Sequence, residues 1–328
     1  MVSSSLNLSF KGYDAASLKS IRFSDYFIKP YAFELQTVCD SENINFKPIE
    51  NAPQWFQDSE VILEGEGKPR LVASSEIDIK EHIDSIKAQK LYNAEFSEHY
   101  IKGGDVFLGK YPNGEYWMLT GNEGAYNEHL DEISKLYNVK SENIHFIPNQ
   151  NFHLDMYIRP IGYPYILVND DKLCTKHLNS IQGKKSDIKD FRAQYEEYNK
   201  KRKKRYKATT DDVCKKLQSL GFIPIRVAGV WGGSVNFMNA IVNLHPDKTF
   251  SYITSSSKCK NPYISELEAV FEKSVREQVS NLDKMYFIKG QEDKNNKTSG
   301  NKIMQSLSYY HGGLHCMCLE EPNFDTLA

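Results

Sequence analysis

The sequence lacks three features that would place it at once in a broad class of proteins. Its 41 basic and 43 acidic residues leave a net charge of only −2, so no overall charge favours nucleic acid or a membrane surface as a partner. No apolar run is long enough to span a membrane. The opening residues, MVSSSLNLSF, have no basic segment followed by a hydrophobic core, and so do not resemble a secretory signal.

Cysteine is also sparse, with six in 328 residues. The six are scattered, unlike the dense disulfide framework of small secreted proteins. We therefore expect a reducing, cytoplasmic setting by default, although export without a cleaved signal would leave no mark in the sequence. The composition itself, 40% hydrophobic and 26% charged, is typical of a globular protein with a sizeable core.

Four segments predict strands that follow a Gly- or Asn-containing opening: KGGDVFLGK from residue 102, NFHLDMYIRP from 151, GGSVNFMNAIVN from 232 and GGLHCMCLEE from 312. Amphipathic helices are predicted around them at 127–137, 187–220 and 265–282. Three of the openings share Gly-Gly, and each has a polar or reactive residue soon after it. The pattern predicts a weak internal repeat of a strand-and-helix unit, with a small-molecule site where the loop ends meet. Chance similarity among glycine-rich strand starts is the alternative.

Two segments are predicted to be additions to such units. Residues 183–207 predict a charged helical insertion, whose end between Lys200 and Lys207 is basic at seven of eight positions. Such a run suits nucleic acid binding or nuclear import, but the acidic residues before it favour a solvated helix face. A protein contact through Lys200–Lys207 stays open. The polar segment 291–302 predicts a mobile surface loop.

The C-terminal run HGGLHCMC places His311, His315, Cys316 and Cys318 within eight residues. These are residue types that zinc prefers. The Gly-Gly pair, however, argues against a helix that would align the two histidines, and no second CxxC or HxxxH is present to complete a site. We therefore expect no metal. From these residues alone, a cysteine that simply fills the core remains an alternative.

Two further clusters could bind a cation. His153 and Asp155 would share one face if they lie on a strand, where side chains two residues apart point the same way. The carboxylate could then raise the basicity of the imidazole or bind a cationic substrate. Trp55 and Asp58 precede a strand candidate that begins at Glu60, and an aromatic face beside a carboxylate also suits a cation. Taken singly, each cluster is equally consistent with an ordinary structural role.

In chain order these clusters read Trp-x-x-Asp, His-x-Asp and Gly-Gly-x-His-Cys, and together they resemble the guanidine-modifying (pentein) superfamily. The resemblance is strongest to the agmatine and peptidylarginine deiminase branch. HLDMYIR, with Arg159 four residues after Asp155, and GGSVNFMNAIVN, with Asn236, are similar to further segments of that branch. The similarity spans about residues 50 to 322. It implies one domain over 1–328 with an α/β fold, a five-bladed α/β propeller of ββαβ units around a central funnel.

The resemblance also implies an activity and a set of residues. Cys316 would attack a guanidinium carbon, His153 would transfer protons, and Asp58 and Asp155 would grip the substrate through paired, charge-assisted hydrogen bonds. The implied reaction is a deimination through a covalent amidino-thioether, which releases ammonia without cofactor or metal. The substrate could be agmatine, arginine or a protein arginine. Further substrate contacts are expected from Trp55, Asp105, Arg159, Asn236 and His315.

Two departures from the family pattern limit this transfer. Lys102 stands where several branches carry an acid before Gly-Gly, so any substrate contact of that acid is lost here or passes to Asp105. Cys318 stands where relatives often have a small hydroxyl residue. An amidinotransferase with the same residues and a non-catalytic protein-binding propeller are the alternative functions. The joint presence of Cys316, His153 and the two carboxylates argues against the non-catalytic alternative.

Overall fold

The computed structural model describes residues 16–29, 31–50, 52–75, 92–121, 123–181, 185–232, 235–256, 263–289 and 313–324. The predicted loop at 291–302 lies outside the described residues. So do Cys259, His311 and Gly312.

Within the described residues, fifteen strands form five three-stranded sheets. In each sheet the central strand pairs antiparallel with one neighbour and parallel with the other. In chain order the strands are β1 (Leu18–Ser24), β2 (Asn45–Ile49), β3 (Glu60–Leu63), β4 (Arg70–Ser74), β5 (Asn93–Ser97), β6 (Val106–Lys110), β7 (Tyr116–Thr120), β8 (Ile144–Phe146), β9 (Ile158–Pro160), β10 (Tyr165–Asn169), β11 (Ile223–Val227), β12 (Ala240–Leu244), β13 (Phe250–Ser255), β14 (Leu282–Ile288) and β15 (Cys318–Pro322).

Helices connect the central strand to its parallel neighbour in four of the sheets, as a parallel pairing requires a crossover. In the sheet of β3, β4 and β5 this connection lies outside the described residues. The helices are α1 (Asp25–Ile28), α2 (Ala32–Ser41), α3 (Glu123–Tyr126), α4 (Leu130–Tyr137), α5 (Asp171–Ser180), α6 (Lys185–Arg205), α7 (Thr210–Ser219), α8 (Ile264–Arg276) and, before β15, α9 (Leu314–Met317). The protein therefore has an α/β fold in which one small mixed sheet recurs five times among the described residues.

The two ends of the described chain meet in one sheet, because β15 pairs antiparallel with β1. A buried polar cluster joins the two strands. Glu321 accepts hydrogen bonds from Ser20 at 2.7 Å, Arg22 at 2.7 Å and Tyr92 at 2.8 Å. The first sheet is thus completed only by the last strand, which fixes the segment before β15 relative to the rest of the molecule.

The predicted helix at 187–220 is two helices, α6 and α7. The break comes at Thr209, whose hydroxyl accepts from the Asp212 amide while the Asp212 carboxylate accepts from the Thr209 amide. This reciprocal cap starts a new helix and ends any continuation of the first. The helix predicted at 265–282 was too long, since β14 begins at Leu282. Helix α6 occupies most of the predicted insertion at 183–207, but its origin as an insertion stays a prediction.

The basic end of α6 is mostly solvated. Lys200, Lys203 and Lys204 are exposed, as a solvated helix face requires. Arg202 is the exception, since it donates to the carbonyl of Gln150 at 3.0 Å and to Asp171. A protein contact through this segment stays a prediction.

Candidate active site

The predicted catalytic residues all lie in short segments that precede the strand paired antiparallel with the central strand of a sheet, here called the first strand of that sheet whatever its place in the chain. Each of the five sheets has such a segment. In each segment one polar or reactive residue lies one to three residues before the strand begins. The segments contribute Asp58 before β3, Asp105 before β6, Asp155 before β9, Asn239 before β12 and Cys316 before β15. Contacts between neighbouring segments join them into one site.

Cys316 lies in the short helix α9 and is only 3% exposed. Its Sγ is 3.0 Å from Asp155 Oδ2 and accepts a hydrogen bond from the side-chain amide of Asn239 at 2.9 Å. The Cys316 amide in turn donates to Asn239 Oδ1 at 3.2 Å. Burial raises the pKa of the Cys316 thiol well above its usual value, and the nearby carboxyls Asp155 and Asp58 raise it further. The cysteine is therefore a thiol in the unliganded site.

Gly313 brings this helix close to Asn239. A Cβ at Gly313 would lie 2.6 Å from Asn239 Oδ1, closer than carbon and oxygen atoms can approach. The glycine therefore permits the contact between the α9 segment and the segment before β12.

Asp155 is completely buried between Cys316 and His315. Its Oδ2 contacts both the cysteine sulfur and His315 Nδ1, each at 3.0 Å. Its Oδ1 is buried and has no hydrogen-bond partner among the described residues. Burial raises the pKa of Asp155 to about 8. The site therefore holds a buried acid, one oxygen of which is unpartnered among the described residues.

The expected strand geometry of His153 and Asp155 was wrong. Leu154–Met156 form a 3-10 turn, with extended backbone at His153, and β9 begins only at Ile158. The imidazole and the carboxylate consequently have different neighbours. Asp155 contacts Cys316, whereas His153 Nδ1 is 3.9 Å from Asp58 Oδ1.

His153 and Asp58 meet at the turn formed by Gly103–Asp105. The Gly104 amide donates to Asp58 Oδ1 at 3.3 Å. A Cβ at Gly104 would lie 2.4 Å from His153 Nδ1, so only glycine leaves room for the ring. Burial lowers the pKa of His153, the Asp58 carboxylate opposes that change, and Lys102 adds to it. His153 is therefore a neutral imidazole in the unliganded site, able to accept a proton.

Asp105 is buried in the same turn, but its contacts are with backbone groups. The Gly121 amide donates to the Asp105 backbone carbonyl at 3.4 Å. Burial raises the pKa of the Asp105 carboxyl to about 8, and the backbone amides of Leu154 and Gly121 oppose that change. Leu154 lies between His153 and Asp155, so the Asp105 carboxyl lies next to the turn that carries both. The predicted substrate contact of Asp105 stays a prediction.

The other predicted substrate contacts lie around this centre. Trp55 is half-buried and packs on the apolar cluster that contains Leu314 and Met317. Asn236 donates to the Met156 carbonyl at 3.2 Å. Arg159 is fully buried, 3.4 Å from Glu320 and above the Phe107 ring. No described contact joins any of the three to Cys316, and their predicted roles stay predictions.

Sequence reasoning missed two residues that touch the site. Asn239, three residues after the predicted Asn236, is the asparagine that contacts Cys316. Gln57, inside the Trp-x-x-Asp segment, donates through its backbone amide to the Cys316 carbonyl at 3.3 Å and has its side chain 2.6 Å from His315. The position directly before a first strand was the available signal for Asn239.

Metal-binding clusters and membrane-spanning helices are both absent from the part of the chain that the structure describes. There, no group of three or more His, Cys, Asp or Glu side chains is arranged to hold a metal ion. None of the helices described is both long and apolar enough to cross a membrane.

No family model and no curated protein matches the sequence. Solved structures do match. An agmatine deiminase of C. jejuni shares 14% identity at a TM-score of 0.56, over 97% of this chain and 98% of that one. A cysteine-to-serine variant of that enzyme with substrate bound shares 13% identity at a TM-score of 0.56, over 94% of each chain. An agmatine deiminase of Enterococcus faecalis shares 12% identity at a TM-score of 0.52, over 94% of each chain.

These matches define the class of fold. The protein shares the α/β fold of these solved structures, which agrees at the level of the fold with the resemblance carried by the sequence motifs. Within that class, the three solved structures named above, which it matches along nearly its whole length, are agmatine deiminases.

Proposed function

We propose that this protein is a cysteine-dependent hydrolase that cleaves a guanidinium C–N bond, a deiminase that releases ammonia and leaves a ureido product. One observation carries the proposal. The buried Cys316 sulfur lies 3.0 Å from a buried carboxyl, Asp155, whose second oxygen has no hydrogen-bond partner among the described residues. A planar cation with several N–H donors complements such a pair.

Two carboxyls would bind the substrate. Asp155 presents Oδ1, and Asp58 lies close enough to raise the pKa of both Asp155 and Cys316. A guanidinium between them would form charge-assisted hydrogen bonds on two sides, which fix its plane and present its carbon to the sulfur. The half-buried Trp55 is the proposed wall beside Asp58.

Substrate binding would also activate the nucleophile. In the unliganded site the nearby carboxyls hold the Cys316 pKa high, because a thiolate there would add a negative charge to a dehydrated, acidic site. A bound guanidinium supplies a compensating positive charge, which lowers the pKa of Asp155 and of Cys316 together. The reactive thiolate would then form only in the presence of substrate.

His153 would carry the protons. The neutral imidazole takes the proton of the Cys316 thiol, the sulfur bonds to the guanidinium carbon, and the resulting imidazolium protonates the departing amino group. Ammonia leaves, and an amidino-thioether remains on Cys316. His153 then takes one proton from water as the oxygen bonds to the same carbon, and returns it to the sulfur as the C–S bond breaks. The second proton of that water passes to solvent as the C=O bond of the ureido product forms. Each proton transfer of this kind contributes about 10²–10⁴-fold to the rate.

The five sheets are proposed to be the blades of an α/β propeller. The support comes from the repeated sheet and from the equivalent position of the site segments, each just ahead of a first strand. A closed ring with β1 and β15 in one blade would bring all five segments to its axis. The central funnel would then be the substrate entrance.

Agmatine is the first substrate to test, because agmatine deiminases are among the solved structures similar to this chain, at TM-scores of 0.52 and 0.56. Arginine and a protein arginine complete the panel. The experiment measures ammonia and ureido product from each substrate with the wild-type protein, Cys316→Ala and the matched control Cys214→Ala, which removes a buried thiol far from the site along the chain. We expect release with the wild type and with Cys214→Ala, and a loss of at least about 10³-fold with Cys316→Ala.

Equal release by Cys316→Ala and wild type would overturn the cysteine mechanism. Formation of an amidino compound only after a second amine is added would instead identify an amidinotransferase. No reaction with any of the three guanidines would contradict the proposed deimination.

A further inference from the structure

His315 contacts the same oxygen of Asp155, Oδ2, as Cys316 does, and not the unpartnered Oδ1. Its ring is completely buried and stacks on Phe107, with ring centroids 5.8 Å apart. Its Nδ1 is 3.0 Å from Asp155 Oδ2, and its Nε2 is 2.6 Å from Gln57 Nε2. A chain of contacts therefore runs from Gln57 through His315 and Asp155 to Cys316.

The chemistry of the glutamine fixes the direction of this chain. An amide nitrogen can only donate, so Gln57 Nε2, 2.6 Å from His315 Nε2, donates to a lone pair there. The Glu320 carboxylate is the charged group at this nitrogen, and at 3.8 Å it lies beyond hydrogen-bond distance. The single proton of a neutral imidazole then lies on Nδ1, where it donates to Asp155 Oδ2. Burial and the nearby Arg159 guanidinium lower the pKa of His315 well below its usual value, so the ring is neutral. The orientation of the Gln57 amide thus selects the histidine tautomer.

We propose that Gln57 and His315 are positioning residues for the reaction, which hold the Asp155 carboxylate with Oδ2 occupied and Oδ1 turned to the substrate. The inference rests on the proposed function. It changes the expected role of His315, since a ring that is 0% exposed and contacts Asp155 acts through that carboxyl and not on the substrate. It also gives Gln57 a role that the sequence motifs did not suggest.

An N–H aimed at Asp155 favours its ionised form, because a hydrogen bond to a charged acceptor is stronger than one to the neutral acid. Without that donor, the acid would bind its proton more tightly. The account therefore predicts an effect on the pH dependence of turnover, which a merely structural role would not produce.

Kinetics of four variants test the relay, by which we mean the chain of hydrogen bonds from Gln57 through His315 to Asp155. Gln57→Met and His315→Leu remove the donor at each step, and both should lower kcat/KM about ten- to hundredfold, the range for loss of one hydrogen bond to a charged group. Both should move the acid limb of the kcat/KM profile to higher pH. His315→Asn places an amide N–H near the position of Nδ1, and should lose far less than His315→Leu. Gln218→Met, a change of an exposed glutamine on α7, is the matched control.

A double variant makes the test sharper. In His315→Asn the hydrogen-bond donor to Asp155 no longer depends on a tautomer. Adding Gln57→Met to this variant should therefore lower kcat/KM little further. Full additivity of the two losses would show that Gln57 acts independently of His315 and would overturn the relay. An unshifted acid limb in a folded Gln57→Met protein would overturn it as well.

The closing experiment does not need turnover. NMR of isotope-labelled histidine in the unliganded protein reports which ring nitrogen of His315 carries the proton, with His315→Asn used to assign its signal. We expect Nδ1–H in the wild type, and a mixture or the other tautomer in Gln57→Met. Nε2–H in the wild type would overturn the relay whatever the enzyme's activity. The expected tautomer in a protein that hydrolyses no guanidine would instead count against the proposed function alone.

Discussion

Two buried acids, Asp105 and Asp155, dominate the electrostatics of the site at the scale of single residues. Each has a pKa raised to about 8, mainly because burial removes the hydration of the charged form. Between an unfolded value of about 3.9 and the folded value, the folded protein holds more protons than the unfolded chain. The stabilisation from each acid is complete below about pH 4 and is lost as the pH rises through about 8.

Asp105→Asn should therefore change the pH dependence of stability. The amide stays neutral at every pH, so the variant does not lose the folding stability that the wild type loses at alkaline pH. We expect its Tm at pH 9 to exceed that of the wild type by at least about 2 °C, with no such gain at pH 5. Thermal unfolding across this range measures the effect. The matched control, Asp131→Asn on the surface of α4, should give the same Tm difference at both pH values, and a flat difference for Asp105→Asn would contradict the raised pKa.

The residues of the site were partly predictable from the sequence, for a clear reason. Cys316, His153, Asp58 and Asp155 belong to short motifs whose order along the chain is recognisable. Asn239 and Gln57 contact the site through pairings over long sequence distances, such as Asn239 with Cys316, 77 positions apart. A single sequence does not reveal such pairings, and this is why the motifs indicate Asn236 but not Asn239.

At the scale of elements, the segment before each first strand is the unit that builds the site. The Gly103–Asp105 turn shows how closely these segments pack, since the Gly104 amide binds Asp58 while its missing side chain accommodates His153. Local sequence patterns predicted a strand through His153 and Asp155. The structure has a 3-10 turn there, packed against the Gly103–Asp105 turn. Local periodicity carries no information about such packing between segments that are distant in the chain.

Gly104→Ala should displace His153. The added Cβ would lie 2.4 Å from Nδ1 of the ring, so the ring or the turn must move, and a shift of about 1 Å costs about 10²-fold in rate. Steady-state kinetics should show this loss in a protein that still folds. Gly124→Ala on α3, where a Cβ would meet nothing within 4 Å, is the matched control. Equal activities of the two variants would mean that His153 does not need its observed position.

At the scale of the whole molecule, the pairing of β1 with β15 holds the segment of Cys316 in place. Arg22 and Glu321 lie 2.7 Å apart, and both side chains are almost fully buried. The ion pair and its neutral partners Ser20 and Tyr92 hold the pKa of Glu321 down to about 2 against the effect of burial. The stability from this carboxylate is therefore present above about pH 4.5 and is lost as the pH falls towards 2.

Glu321→Ala should strongly destabilise the fold. It leaves a buried guanidinium without its partner, at a cost of about 3–5 kcal/mol, and we expect the Tm to fall by at least about 5 °C. The double variant Arg22→Met/Glu321→Leu removes both charges and should lie closer to the wild type. Thermal unfolding of the three proteins at pH 7 measures this. A single variant no less stable than the double variant would contradict the assigned ion pair.

The central claim is that Cys316 forms a covalent bond to the carbon of a guanidinium substrate. Acid quenching during turnover of the preferred substrate, followed by intact mass and peptide mapping, tests it most directly. The account predicts an amidino adduct on the peptide that contains Cys316 in the wild type, and no adduct in Cys316→Ser. Turnover by Cys316→Ser at the wild-type rate, or an adduct mapped to another residue, would contradict it.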